Sequence, residues 1–179
     1  MEKTLIIHPK DESTGFLKSI YKNVNSPTIL NGQLTKEEVH TLIYHYDQVM
    51  MMGHGCPSGL FGVNWGYHLI IDDSNVHALK QKDNNVFIWC HANRFVEQHN
   101  LKGFYSGMFI SEVNEAIYYN IESNQEMINE SNHIFSKTLG EIITESVDEA
   151  FYYIVDRYGK LSKSNPVAKY NVERLRLTL

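Results

Sequence analysis

Short apolar runs alternate along this chain with segments whose apolar residues recur every three or four positions. "KTLIIH" (residues 3–8) is a strand-length run closed by Pro9, and "TGFLKSIYKNV" places Phe16, Ile20 and Val24 at helical spacing. "SPTILNG" predicts a second strand. "LTKEEVHTLIYHY" follows it, with Thr35 and Glu38 forming a capping-box signature ahead of Val39, Leu42 and Ile43. "QVMMMG", from Gln48, has neither alternation nor charge, as expected of a strand covered on both faces. "LFGVNWGYHLIIDD" holds two apolar runs parted by Asn64, Trp65 and Gly66, which predicts a small hairpin outside the core. A short helix from Ser74 ("SNVHALKQK") leads to a fourth core strand, "NNVFIWC", which stops at Cys90. "KGFYSGMFIS" reads as a fifth strand and "EVNEAIYYNI" as a helix, with Glu112 and Glu115 in or near its first turn where negative charge suits the dipole. Between Asn124 and Tyr158 the period is helical throughout, as one long or two stacked helices. "ERLRLTL" alternates and predicts a closing edge strand.

This order predicts an α/β fold, a mostly parallel open sheet with helices on both faces and a helical C-terminal part. No Pro/Gly/Ser linker interrupts residues 1–179, so a single domain is expected. In such sheets ligands bind at the carboxyl ends of the strands.

The chain has 179 residues, enough to bury roughly 70% of its unfolded surface in one core. Its formal charge of -5 supplies no field to attract a phosphate backbone, so nucleic acid is not the expected partner. The N-terminal "MEKTLIIHPKDE" lacks the apolar core of a signal peptide and no run reaches a membrane span, which predicts a cytoplasmic protein without membrane association. Two cysteines, Cys56 and Cys90, are too few to staple a domain of this size; in the cytosol they would be catalytic, metal-binding or buried.

Chemistry concentrates where two predicted strands end. His54, between Gly53 and Gly55, terminates the third strand and Cys90 the fourth. If those strands are neighbours, an imidazole and a thiol emerge on one rim, the arrangement in which a histidine takes and returns the proton of a cysteine nucleophile. Gly55, lacking a side chain, lets its N–H approach a substrate carbonyl, and with the N–H of Cys90 it would form an oxyanion hole. The structural alternative is a buried cysteine beside Trp89 and a histidine incidental to a glycine turn. Of the other histidines, His40, His45, His77, His99 and His133 fall on helical or loop faces.

"MMMGHGCPSGL" followed by "VFIWCHAN" resembles the caspase-like cysteine peptidases, the group of caspases, gingipains, legumain, clostripain-like enzymes and separase. In that family a hydrophobic strand ends in His-Gly and the next in Cys, on an α/β sheet in this chain order. The resemblance implies His54 as acid/base, Cys90 as nucleophile, and Gly55 with Cys90 as oxyanion donors in a cysteine endopeptidase acting on a peptide or protein. It implies no cofactor and no metal, and control by proteolytic processing, a ligand, a homodimer or an activating partner. The family often places a polar or acidic specificity residue two positions before the nucleophile. Here that position is Ile88, so no side-chain preference transfers.

Topology adds two substrate-binding candidates, His8 at the end of the first strand, where caspases carry a specificity residue, and Glu112 after the fifth. Two other readings stand beside the peptidase. One is a catalytically inactive caspase-like binding or regulatory module; the other is a zinc protein using His54, Cys56, Cys90 and His91, whose spacing is unlike the usual knuckles.

Overall fold

The computed structural model of the chain describes residues 3–63 and 68–179. Its strands are β1 (Thr4–Ile7), β2 (Thr28–Leu30), β3 (Gln48–Met52), β4 (Gly55–Cys56), β5 (Gly59–Phe61), β6 (Leu69–Ile71), β7 (Val86–Ile88), β8 (Gly103–Ser106) and β9 (Leu175–Thr178). The helices are α1 (Lys36–Ile43), α2 (Val76–Leu79), α3 (Ala92–His99), α4 (Val113–Tyr118), α5 (Gln125–Gly140), α6 (Val147–Leu161) and α7 (Pro166–Val172).

Six strands form one sheet in the order β2-β1-β3-β7-β8-β9. All its pairings are parallel except β8 with β9, so the alternating "ERLRLTL" segment closes the sheet as an antiparallel edge. Register explains the two-sided core. Leu5, Val49, Met51 and Phe87 pack on one face beneath α1, α2 and α3. Ile6, Met50, Val86 and Ile88 pack on the other, against α5, α6 and α7. Every residue of "QVMMM" is buried, which is why that strand carries no polar alternation.

Local signals act as their chemistry requires. Thr35 and Glu38 complete the capping box of α1, with Thr35 Oγ1 accepting from the Glu38 N–H at 3.2 Å and the Glu38 carboxylate from the Thr35 N–H at 2.8 Å. The helical stretch after Asn124 is two helices, α5 and α6, separated by residues 141–146. The excursion after β3 is a three-stranded antiparallel sheet, β4-β5-β6; the Asn64-Trp65-Gly66 turn expected there lies outside the described residues.

Three elements differ from the expectation. The segment around Phe16 and Ile20 forms a 3₁₀ turn over Gly15–Ser19, not an α-helix. Its bonds run from the Leu17 N–H to Thr14 O and from the Ile20 N–H to Leu17 O, and a three-residue period turns both Leu17 and Ile20 toward the core. Helix α3 begins straight after Cys90 without a capping signature, because His91 at its N-cap adopts a left-handed conformation (φ 66°) and makes no side-chain cap. Helix α7 had a signal that hydrophobic periodicity passes over. Asn165 precedes a proline, and its side chain accepts from the Val167 and Ala168 N–H groups at 3.0 and 3.1 Å.

Candidate functional site

β3 and β7 are adjacent and parallel, with Met52 opposite Ile88. The ladder continues past both strands, since the Gly53 N–H donates to Ile88 O at 3.0 Å, so the turn carrying His54 is fixed against the residues leading to Cys90. Trp89 braces the same junction from the opposite face. Its indole N–H donates to Cys56 O at 3.1 Å, and its ring lies against Gly55 so closely that a Cβ there would stand 2.3 Å from Trp89 Cδ1. The glycine after His54 is therefore demanded by packing. Gly55→Ala is expected to destabilise the fold by about 1–3 kcal/mol, the usual cost of forcing extra volume into a packed site, measured by chemical denaturation with an unchanged m-value. The Gly55 N–H itself remains outside the small sheet: Gly55 faces Leu60 while the Phe61 N–H donates to His54 O, the pattern of a non-hydrogen-bonded antiparallel pair.

His54 and Cys90 line one slot of about 20 Å³, room for little more than a water, together with Thr14, Phe16, Ile88, Phe109 and Ser111. Within it the imidazole and the thiol have different partners. His54 Nε2 lies 2.7 Å from Ser13 Oγ and 3.4 Å from Asp11 Oδ1, and the Ser13 hydroxyl reaches the same carboxylate oxygen at 2.7 Å. With the hydroxyl proton donated to Asp11, Ser13 accepts from Nε2–H, which assigns the proton on neutral imidazole to that nitrogen.

Cys90 Sγ points toward Phe109 O at 3.7 Å and Glu115 Oε1 at 3.9 Å. The other Glu115 oxygen accepts from the Ser111 N–H at 2.8 Å, the Ser111 hydroxyl at 3.2 Å and the Glu112 N–H at 3.1 Å. Burial first, and then the Glu115 charge, push the thiol up to about 12, so it rests protonated. The Cys90 N–H donates to no main-chain carbonyl among the described residues, while its neighbour His91 donates to Gly107 O.

The remaining sequence candidates separate. His8, expected at the substrate-binding rim, is buried at 2% exposure, with Nδ1 3.0 Å from Tyr21 Oη and Nε2 3.3 Å from Thr14 Oγ1. It lines neither the slot nor the groove beside it, and in this position it pins the loop after β1. Burial and, next, Lys18 lower its pKa to about 4. Because the folded value lies below the unfolded one near 6.5, the unfolded chain binds the extra proton first. The contribution of neutral His8 is complete above about pH 6.5 and is lost as pH falls through 4, on the order of 3 kcal/mol in total. Denaturation midpoints across that window should fall with acid in the native protein and more shallowly in His8→Gln.

Glu112 is exposed and borders an open groove of about 650 Å³ that adjoins the slot, sharing Phe16 and Ser111 with it. The four residues considered for zinc do not converge. His54 is engaged by Ser13 and Asp11, and His91 Nε2 lies 3.5 Å from Tyr119 Oη. Among the described residues, no three His, Cys, Asp or Glu side chains gather into a metal site. Asp11, Ser13 and Glu115 are the groups that sequence reasoning left out. The polar "PKDES" after β1 was visible, but nothing in it said which side chain would meet His54. No protein-family model matches the chain, and no curated protein matches it.

Proposed function

We propose that this chain is a cysteine peptidase of the caspase-like type. The observation that carries the reading is the pairing of β3 with β7, which delivers His54 and Cys90 from adjacent parallel strand ends into one slot, in the chain order of the family that the two sequence blocks resemble. On this reading the thiol proton passes to His54 as sulfur bonds to the peptide carbonyl carbon. The C–N bond then breaks as the imidazolium returns the proton to the leaving amine. Water, deprotonated by His54, cleaves the thioester, giving the carboxylic acid and restoring the thiol. On this reading the Gly55 and Cys90 N–H groups, neither of them used in a strand ladder, are the donors for the oxyanion. Asp11 and Ser13 hold the imidazole and offset its charge when it is protonated.

A second reading is favoured by a specific observation, the Cys90 sulfur turned toward Phe109 O and the Glu115 carboxylate, which suits a non-catalytic module of the same architecture. Assay of the purified chain against a broad peptide library separates the two. Cleavage that disappears in Cys90→Ala supports the peptidase. Absence of cleavage by both the native protein and a Glu115→Gln variant supports the binding module.

A further inference from the structure

The β2 edge of the six-stranded sheet lies outside the slot and its neighbouring groove. Among the described residues β2 pairs with β1 alone, in parallel register with Ile29 opposite Ile6. The His8 N–H donates to Leu30 O at 2.9 Å, so Leu30 turns its main-chain groups toward β1. Alternation along a parallel ladder then turns the N–H and C=O of Ile29 outward, to the open edge. Its side chain is 43% exposed. Here lies a groove of about 450 Å³ lined by the apolar bodies of Tyr21, Val24, Pro27 and Ile29 and by two cations, Lys18 and Lys22. Tyr21 and Val24 pack on the core behind, and the Tyr21 hydroxyl is held by buried His8, so the apolar lining is preformed. No Asp or Glu lines the groove. Both lysines are exposed, and neither forms an ion pair among the described residues. In a chain of formal charge -5 this is a local reversal of sign.

We infer that the β2 edge and this groove dock an extended, acidic segment of a partner protein, which adds to the sheet as a further strand. Its main chain pairs with the N–H and C=O of Ile29, an apolar side chain enters the groove beside Val24 and Ile29, and flanking carboxylates meet Lys18 and Lys22. Charge complementarity selects this occupant. A free anion would use the lysines but neither the apolar lining nor the unpaired main chain, and an uncharged strand would leave both cations without a counter-charge. The site is independent of the peptidase reading, since no residue of the slot contributes to it.

The test is fluorescence anisotropy on full-length Cys90→Ala, so that no turnover intervenes. The probe is a labelled peptide, Asp-Glu-Val-Ile-Val-Glu-Asp, compared with its uncharged counterpart, Asn-Gln-Val-Ile-Val-Gln-Asn. Two exposed ion pairs, each worth a few-fold, should make the acidic peptide bind about tenfold more tightly, and Lys18→Glu/Lys22→Glu should reverse the preference. Strand addition has its own signature. N-methylation of one alternate set of peptide amides should abolish binding while methylation of the other set is tolerated, and the bound peptide should slow hydrogen exchange at the Ile29 amide. Lysines that only guard the edge against aggregation predict no preference between the peptides. Equal affinities, binding of neither peptide, or a preference that survives the lysine substitutions overturns the inference. So does adsorption to phosphatidylserine vesicles without peptide binding, which would assign the lysines to a membrane surface.

Discussion

Cys90→Ala is expected to abolish peptide turnover while leaving the fold intact. The thiol supplies the nucleophile that forms the acyl intermediate in the proposed sequence, and alanine cannot form it. Structurally the change is mild. The Cys90 sulfur makes two long contacts, at 3.7 and 3.9 Å, and the strand ladder around it is held by Gly53, Ile88 and Trp89. His54→Ala should lower kcat by about 10²–10⁴ with KM little changed, the signature of a lost proton-transfer group. Far-UV circular dichroism of both variants should overlay on that of the native protein. Retained turnover in Cys90→Ala would assign the chemistry to another group, and Cys56→Ala serves as the control expected to keep activity.

Glu115→Gln should make the resting thiol more reactive. Burial is the leading cause of the raised Cys90 pKa and the Glu115 charge the next, so removing the charge lowers the pKa without returning it to the ordinary thiol range. The substitution is close to isosteric. A glutamine carbonyl can still accept from the Ser111 and Glu112 N–H groups, while its NH₂ faces the sulfur in place of a carboxylate oxygen. Since one pKa unit is a tenfold change in thiolate, alkylation by iodoacetamide at about pH 8 should accelerate about tenfold. The rate in the native protein should keep climbing with pH toward about 12, and the profile of the variant should be displaced to lower pH. Coincident profiles would show that burial alone holds the proton.

How much of this was legible in sequence depends on how local each determinant is. The charge-free run of β3, the capping box of α1 and the alternation of β9 are written within a few residues, and each forms where its pattern indicates. The adjacency of β3 and β7 also followed, because consecutive βα units favour neighbouring parallel strands. What escaped was long-range. Ser13 meets His54 from another loop and Glu115 meets Cys90 from the first turn of α4; neither contact leaves a periodic trace. His8 and Glu115 show the same effect in opposite directions. A histidine that strand topology put on the substrate rim is buried by Tyr21 and Thr14, while a glutamate legible as a helix-start charge also faces the thiol. The 3₁₀ turn at Gly15–Ser19 has apolar residues at spacings that suit an α-helix, and only tertiary packing decides between them.

The most direct test of the central claim is covalent capture by a small library of peptidyl acyloxymethyl ketones varied next to the warhead, read by mass spectrometry of the digested protein. The account predicts a single adduct on the Cys90 peptide in the native protein, formed faster in Glu115→Gln and suppressed in His54→Ala. An adduct on Cys56, or labelling of Cys90 at a rate indifferent to His54, would contradict it.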